Sequence, residues 1–535
     1  MINQSSSSLH LAKLKTEFNK WRIAFLLFAL IYAILLTLNL SGSSMQWDEV
    51  SNLNGGLMLK LGSYQNFVRG SFYPPLFDLA AMFSFNILGV SLVSGRLVSV
   101  VFSLLTLWVV FELASRMYSG KAGLISAILL GVMPGYIWLS RMAMLDVMLT
   151  FFSTLSLLFF YLWLNKHQNR MLVFSGLALG LGFLTKYQVV AVGAALIVSL
   201  LILGWGHLKG LFARFTLLVV AAAATITPWI IIVYRVYAAQ ILSQWVYALQ
   251  IGNPGRSFYS GRFPTPIFYL IEITWPYSDT HPISLLLYAF GLLGLGFFAM
   301  RRKKEDKFVL TWFLSVYVFF TLVSNRDWRY LVPLFPALAI SAAGLTLFVY
   351  SKAENGWKRS ISVNRKKAFK FAAALLIVFI LVGTAYSISN AYDWVVADQV
   401  QVEIQAATNY AVNHESANQS IMVLCPFNLF SAGMVNFYLW QDGCYKINTY
   451  QYPENPVDTY TPTFNITEFI NMCKENNVKF VFTYEYGGVV PYYNTTLNLM
   501  QIYMQLYASG NFTKISPQET FGTDPRRIFI LNFTG

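Results

Sequence analysis

The chain has 535 residues, of which 56% are hydrophobic and 12% are charged, and its mean hydropathy is +0.52. An average soluble domain carries about 25% charged residues, so this composition excludes an ordinary soluble fold and indicates a membrane protein. The net charge of +14 does not indicate a nucleic-acid partner, because the Lys and Arg residues stand in short clusters between apolar runs, the pattern that orients membrane proteins.

The first apolar run is Trp21–Leu40, which follows a basic stretch that includes Lys13, Lys15 and Lys20. It is longer than the 7–15 residues typical of a signal-peptide core. We therefore predict a retained first span, with residues 1–20 forming a cytoplasmic N-terminal segment.

Ten further spans are predicted with a window of about 20 residues, the length that crosses a bilayer as a helix. They are Val98–Ala114, Ala122–Leu139, Val147–Leu164, Leu172–Leu184, Val189–Trp205, Phe215–Tyr234, Ile283–Met300, Phe308–Val323, Leu331–Tyr350 and Phe369–Ser387.

A twelfth apolar stretch, Tyr73–Gly89, is ambiguous. If it spanned the membrane, the Arg301–Lys304 cluster would face outward while the N-terminal lysines faced inward, which the positive-inside rule disfavours. We interpret it as a juxtamembrane or re-entrant helix that follows Pro74 and Pro75. The chain is then a polytopic α-helical membrane protein with about 11 transmembrane helices, a cytoplasmic N-terminus, and outer-face loops at 41–95 and 236–282.

The region after Asn390 loses the membrane character and contains five Asn-x-Ser/Thr sequons, a feature of extracytoplasmic chains. The sequons begin at Asn418, Asn465, Asn494, Asn511 and Asn532. The predicted strands are Ser420–Leu424, Lys479–Thr483 and Arg527–Asn532, and the predicted helices are Thr467–Glu475 and Leu497–Leu506. We therefore predict a transmembrane domain over 21–390 and an extracytoplasmic soluble α/β domain over 391–535.

The three cysteines, Cys425, Cys444 and Cys473, all lie in this C-terminal region, without the spacing of a metal site. A disulfide between Cys425 and Cys444 stays open. No cofactor is predicted to be required, and a requirement for a divalent metal ion also stays open.

Three carboxylates are candidate catalytic groups. Asp48 and Glu49 follow the first span directly, where a partly desolvated carboxylate can act as a base, although they could equally be solvated residues at a helix end. Asp146 begins an apolar span, where an ionisable group is costly and is usually paired or functional. Its structural alternative is an ion pair with Arg141, which is itself a candidate substrate-binding residue.

Several cations are candidate substrate-binding groups on the outer face. Lys186 ends a glycine-rich apolar segment, where snorkelling of a loop lysine is the alternative, and Gly176 and Gly180 fit close helix packing. The other candidates come from two outer loops, where binding of lipid headgroups is the alternative. They are Arg256, Arg262, His281, Arg329 and its neighbour Tyr330.

These groups suit sugar transfer from a lipid phosphate. The leaving phosphate is already anionic, so cations stabilise it and one carboxylate activates the acceptor. The carrier supplies its own membrane anchor, so no nucleotide-binding loop is needed.

The order and spacing of six motifs over most of Trp21–Tyr350 resemble the GT-C glycosyltransferases of the dolichyl-phosphate-mannose protein mannosyltransferase and lipid A aminoarabinose transferase group (PMT/ArnT-like). The motifs are Asp48-Glu49, Tyr73-Pro74-Pro75-Leu76, Gly89-x5-Gly95-Arg96, Arg141-x4-Asp146, the segment from Gly176 to Lys186, and Arg329-Tyr330-Leu-x-Pro333-x-x-Pro336-Ala337-Leu338.

The resemblance implies a GT-C-like fold and inverting transfer from a polyprenyl-phosphate sugar. By position it implies Asp48 as the base, Glu49 and Asp146 as residues that orient the acceptor or base, and Lys186 and Arg329 as ligands of the carrier phosphate. The outer loop Val236–Pro282 is short for the inserted domain of eukaryotic protein mannosyltransferases, and the C-terminal region lacks a Trp-Trp-Asp-type motif of oligosaccharyltransferases.

The resemblance predicts three kinds of partner: a polyprenyl-phosphate-linked sugar donor, a protein, glycan or lipid acceptor, and membrane lipids. The predicted location is the cell membrane, with the C-terminal domain outside. Two alternatives stay open. A transporter or lipid flippase would be expected to show an internal repeat, and a sugar-sensing receptor would not need charges at its outer span ends.

Overall fold

The computed structural model describes residues 2–70, 72–204, 208–250, 261–274, 282–359, 362–397, 402–414, 419–425, 429–453, 464–484, 499–514, 521–522 and 527–535. The chain divides into two compact units. We call the first the helical unit; it comprises Met1–Leu38, Gln65–Phe77 and Arg96–Val396. The second, the mixed unit, comprises Asn39–Tyr64, Asp78–Gly95 and Ala397–Gly535.

Sixteen α-helices are described between residues 2 and 397. They are α1 Ile2–Thr37, α2 Trp47–Lys60, α3 Tyr64–Gly70, α4 Leu76–Leu88, α5 Leu92–Met117, α6 Gly120–Gly131, α7 Pro134–Ser140, α8 Leu145–Lys166, α9 Asn169–Thr185, α10 Val190–Leu203, α11 Leu208–Gln250, α12 Phe268–Glu272, α13 Leu285–Arg301, α14 Lys304–Leu322, α15 Phe335–Arg359 and α16 Val363–Ala397. Between them, the described residues include three short 3-10 helices: Tyr187–Val189, Thr265–Ile267 and Trp328–Leu334.

Six helical segments among the described residues are long and apolar enough to cross a membrane, and a seventh is added if one bent pair counts as a single span. The six are Lys20–Thr37, Leu92–Met117, Leu145–Lys166, Gly210–Val236, Trp328–Arg359 and Val363–Val396. These candidate spans support a multi-pass membrane protein. The number of about 11 is not confirmed, because several predicted spans coincide with helices of 17 residues or fewer, short of the roughly 20 that a span needs.

The bent pair replaces the single predicted span Ala122–Leu139. Helices α6 and α7 meet at an angle of 75°. The break falls at Pro134, which starts α7. Proline lacks a backbone N–H and is tolerated in the first turn of a helix but not in its interior, so it ends one helix and begins another. Helix α4, which covers the ambiguous stretch, has 13 residues and rises about 20 Å, less than the roughly 30 Å of a hydrocarbon core.

Close helix packing explains two of the three glycines of α9. A methyl group added at Gly176 would stand 2.2 Å from the carbonyl oxygen of Leu218 on α11. One added at Gly180 would stand 2.6 Å from Cβ of Thr225 on the same helix. These small residues therefore let α9 and α11 approach each other closely, as predicted for Gly176 and Gly180 from the sequence.

The C-terminal part of the mixed unit holds a five-stranded sheet in the order β2-β1-β3-β5-β4. The strands are β1 Ser420–Leu424, β2 Asn448–Tyr452, β3 Val478–Tyr484, β4 Phe512–Lys514 and β5 Ile528–Phe533, and the helices are α17 Ile404–His414, α18 Ala432–Gln441, α19 Ile466–Glu475 and α20 Leu499–Ala508. Strand β1 is parallel to β2 and β3, whereas β5 is antiparallel to β3 and β4. All five residues of β1, an interior strand, are buried, so β1 contributes to the core of the sheet.

The segments near the first predicted outer loop pack within the mixed unit. Asn54 of α2 donates its side-chain amide to the carbonyl of Gly433 in α18 over 2.9 Å. The hydroxyl of Ser44 accepts a bond from the backbone N–H of Val402 at 2.6 Å. Gly56 of α2 lies against the α4 backbone, where an added methyl would stand 3.1 Å from the carbonyl oxygen of Asp78.

None of the three cysteines forms a disulfide in the structure, so the Cys425–Cys444 bridge that the sequence left open is not formed. Burial raises the pKa of Cys425 and of Cys473 to about 12. Cys444 is only partly buried. The two buried thiols therefore belong to the core of the mixed unit.

Candidate functional site

The centre of the candidate site is a buried ion pair between Asp146 and Lys186. Nζ of Lys186 lies 2.8 Å from Oδ1 of Asp146, and the side chains are 5% and 2% exposed. An oppositely charged partner at this distance compensates part of the cost of burying both groups.

Local structure explains how these two residues come together. Met144 is extended and α8 begins at Leu145, so Asp146 stands in the first turn of that helix, where a carboxylate is favoured by the unpaired N–H groups. Lys186 ends α9 with an extended backbone, and a 3-10 turn follows at once. Helices α8 and α9 pack against each other, so the start of one and the end of the other meet.

Two tyrosine rings surround the ammonium group of Lys186. Its Nζ lies 5.4 Å from the ring centroid of Tyr73 and 5.5 Å from that of Tyr330. Both distances fall within the range of cation–π attraction. Tyr73 belongs to the Tyr-Pro-Pro motif, and Tyr330 to the 3-10 helix before α15, so three motifs that are distant in sequence share one site.

Arg329 lies next to Tyr330 and is held by Asp327. Its Nε and Nη2 atoms donate to Oδ2 of Asp327 at 3.1 and 3.0 Å. The other oxygen of Asp327 accepts the backbone N–H of Arg329 at 2.9 Å. Asp327 thus caps the 3-10 helix and fixes the Arg329 side chain, which is 21% exposed and still reachable from solvent.

Arg141 contacts the end of α1. Its Nη1 atom donates to the carbonyl oxygens of Leu36 and Leu38 at 2.7 and 2.9 Å. Free carbonyls at a helix C-terminus attract cations. Asp146 therefore pairs with Lys186, and not with Arg141 as the structural alternative for Asp146 predicted. The Nη1 atom of Arg141 instead binds the end of α1.

Asp48 and Glu49 lie in the mixed unit, in the first turn of α2. Asp48 is exposed. Glu49 is fully buried, and its Oε2 accepts the backbone N–H of Gln46 at 3.2 Å, so it caps the helix. The two neighbouring carboxylates therefore occupy different environments within one helical turn.

The remaining predicted cations have different outcomes. Arg262 forms an ion pair with Glu272, whose side chain is 1% exposed. Arg256 and His281 lie outside the described residues. Among the ranges that the structure describes, no group of three or more His, Cys, Asp or Glu residues could hold a metal ion.

Sequence reasoning missed four carboxylates that are buried in the described part of the chain, namely Asp78, Glu112, Glu272 and Asp306. Glu272 stands in the short apolar run Ile271-Glu272-Ile273, and that pattern is itself a signal of a paired buried charge. Asp78 lies in the first turn of α4 and is 6% exposed. Burial raises the pKa of Asp78 well above its usual range, so the protonated form is favoured there.

Comparison with known proteins shows what the chain as a whole is similar to. Residues 73–232 match the family model described as dolichyl-phosphate-mannose-protein mannosyltransferase. The undecaprenyl phosphate-alpha-4-amino-4-deoxy-L-arabinose arabinosyl transferase 1 of Proteus mirabilis (strain HI4320) is 24% identical over 342 residues, which is 61% of this chain and 59% of that protein. An uncharacterized protein of Aquifex aeolicus (strain VF5) is 26% identical over 50% of this chain and 52% of its own length. The chain thus spans between half and three fifths of the length of these curated relatives.

Two solved structures share the fold. ArnT from Cupriavidus metallidurans bound to undecaprenyl phosphate has a TM-score of 0.64 at 15% identity, covering 96% of this chain and 98% of that one. The archaeal oligosaccharyltransferase AglB from Archaeoglobus fulgidus, in complex with an inhibitory peptide and a dolichol-phosphate, has a TM-score of 0.59 at 14% identity, covering 94% and 74%. The GT-C-like fold and the resemblance to the PMT/ArnT-like group, both predicted from the motifs, are confirmed.

Proposed function

The chain resembles the PMT/ArnT-like GT-C glycosyltransferases in sequence and in fold, and from that premise we propose that it is a membrane glycosyltransferase that uses a polyprenyl-phosphate-linked sugar. The donor sugar is a hexose, mannose-like or related, on a polyprenyl or dolichyl phosphate carrier. The acceptor is a protein, glycan or lipid on the outer face of the membrane. The two solved structures of similar fold support the choice of a lipid phosphate carrier. One is bound to undecaprenyl phosphate and the other to a dolichol-phosphate.

The observation that carries the proposal is the buried Asp146–Lys186 pair with two tyrosine rings beside the ammonium. An ammonium group has three donors, and one of them points to Asp146. The others can meet phosphate oxygens in a site with little water, where an electrostatic contact is stronger than in solution. Asp146 holds Lys186 in place, and Arg329, adjacent to Tyr330, supplies a second cation.

Asp48 is the proposed base. Asp48 is exposed, so an acceptor hydroxyl can reach it from solvent. In the proposed step, the hydroxyl oxygen attacks the anomeric carbon and its proton passes to Asp48. The bond from that carbon to the phosphate oxygen breaks, the polyprenyl phosphate leaves as the anion, and the anomeric configuration inverts. No step of this scheme needs a cofactor.

The first experiment measures sugar transfer from a radiolabelled polyprenyl-phosphate sugar by the purified chain, beside donor binding on the same preparation. Asp48→Asn keeps the size of the side chain and removes the proton acceptor, so turnover should fall by roughly 10²–10⁴ while donor binding is retained. Glu49→Gln is the matched control. Its amide oxygen can still accept the N–H of Gln46, so the effect on transfer should be milder.

The outcomes separate the proposed enzyme from its rivals. Release of labelled sugar from its carrier, lost in Asp48→Asn, supports the glycosyltransferase. Near-normal transfer by Asp48→Asn removes Asp48 as the base and moves attention to Asp146. A wild-type chain that binds the lipid-linked donor but never cleaves it matches the transporter or flippase alternative instead.

A further inference from the structure

A cluster of cations lies where α15 ends and α16 begins. Seven Lys and Arg residues and a single carboxylate, Glu354, occur between positions 352 and 370. We call the seven the basic patch; they are Lys352, Lys358, Arg359, Arg365, Lys366, Lys367 and Lys370. All are exposed except Lys366, which is partly exposed.

The fold fixes the position of the basic patch at the ends of two candidate spans. The segments Trp328–Arg359 and Val363–Val396 are 32 and 34 residues long, well beyond the roughly 20 that cross the hydrocarbon core. Their basic ends lie together, because a methyl group added at Gly356 would stand 2.5 Å from the ring of Phe369. The patch therefore lies at the polar ends of both candidate spans.

Aromatic side chains accompany these cations. Trp357 is 38% exposed, and Nζ of Lys370 lies 5.0 Å from the centroid of its ring. Val363 and Phe371 are 66% and 65% exposed at the start of α16. Amphipathic aromatic rings prefer the headgroup level of a membrane, and exposed apolar residues beside cations are the composition of a surface that contacts lipid.

The positive charge of the basic patch indicates the kind of ligand that it binds. Glu354 is paired with Lys358 at 2.6 Å, which leaves a large positive excess over the rest of the patch. Clusters of four to eight Lys or Arg residues next to a transmembrane helix attract anionic lipid headgroups. We propose that the basic patch binds the anionic phospholipid headgroups of the leaflet at which α15 and α16 leave the membrane.

The test uses the full-length chain in a neutral detergent and two acyl-labelled fluorescent lipids, phosphatidylglycerol and phosphatidylcholine. The variant Arg359→Gln, Arg365→Gln, Lys367→Gln removes three exposed cations of the patch. The matched control Lys446→Gln, Lys474→Gln, Lys514→Gln removes three exposed cations of the mixed unit. Both variants change surface residues, and a thermal unfolding scan checks that they fold.

The wild-type chain should bind phosphatidylglycerol more tightly than phosphatidylcholine, and 1 M salt should remove the difference because the Debye length falls to about 3 Å. Each lost cation should weaken the anionic lipid about fivefold, so the triple variant should lose roughly 100-fold and the control almost nothing. If the triple variant does not fold, Arg365→Gln alone should show the fivefold loss.

Three results would overturn the proposal. The first is equal affinity of the wild-type chain for both lipids. The second is an unchanged lipid preference in the patch variant, or an equal loss in the control. The third is displacement of the labelled lipid by a comparable concentration of inorganic phosphate, which would show that the patch takes any phosphate anion rather than a lipid surface.

Discussion

Breaking the Asp146–Lys186 pair should destabilise the chain more than the loss of any exposed ion pair. At the observed 2.8 Å, two unit charges attract by about 6 kcal/mol with an effective dielectric constant of about 20. Desolvation offsets most of this attraction, but removal of one partner leaves the other charge buried and uncompensated, at a cost of about 3–5 kcal/mol. We therefore expect Lys186→Met to lower the free energy of unfolding by about that amount.

A double-mutant cycle isolates the pair. The double variant Asp146→Asn, Lys186→Met carries no buried charge at this position, so it should recover most of the lost stability. Unfolding is followed in mixed micelles of a mild and a denaturing detergent. Lys358→Met is the matched control, because Lys358 pairs with Glu354 at 2.6 Å but with side chains 59% and 41% exposed. An exposed pair contributes little, so this control should show no measurable change.

The same double variant separates the structural role of Lys186 from its proposed role in donor binding. It keeps the fold but lacks the ammonium group, so its affinity for the lipid-phosphate donor should fall roughly 10- to 100-fold, the loss of one charge-assisted contact. Two results would refute this reasoning: additive effects of the two single variants on stability, or wild-type donor affinity in a stable double variant.

Three further predictions concern topology, thiols and a buried carboxyl group. In a Cys444→Ser background on intact cells, an impermeant thiol reagent should label Asp442→Cys but neither Asn169→Cys nor Lys307→Cys, all exposed positions; the reverse pattern would refute the predicted orientation. Folded wild-type chain should take up one maleimide, at Cys444, and denatured chain three, because Cys425 and Cys473 are buried and their pKa is raised to about 12; a second adduct on the folded chain would contradict this. Burial raises the pKa of Asp78, so its contribution to stability falls as pH rises from the unfolded value of about 3.9 towards the folded one. Asp78→Asn should therefore raise the unfolding temperature at neutral pH but not at acid pH, and an equal effect at both would show that this titration is not the cause.

The central strands were predictable from sequence because they are short runs of buried apolar residues. Each end of strands β1, β3 and β5 lies within one residue of the end of a predicted strand. Strand β2, Asn448–Tyr452, was missed because it lies at the edge of the sheet, carries Asn, Thr and Gln, and is partly exposed. Edge strands satisfy only one side of the ladder and need no continuous apolar run, so hydropathy does not reveal them.

The pairing within the site could not be read from local sequence. Asp146 and Lys186 are 40 residues apart, and only the packing of α8 on α9 brings them together. Sequence alone treats Lys186 as an isolated cation at headgroup depth, whose loss would affect the donor and nothing else. Its burial at 4% exposure disfavours the snorkelling alternative and adds a stability cost to every single substitution there.

The contrast between Asp48 and Glu49 follows from helix geometry. Successive residues of an α-helix point about 100° apart, so a helix that packs one face inward buries one of two neighbouring carboxylates and exposes the other. Glu49 is the buried one and satisfies the N–H of Gln46, a structural use that leaves it poorly placed to exchange protons with solvent. Asp48 is exposed on the same helical turn. The assignment of the base to Asp48 therefore depends on this division, and a stable Glu49→Gln variant that loses as much transfer as Asp48→Asn would reverse it.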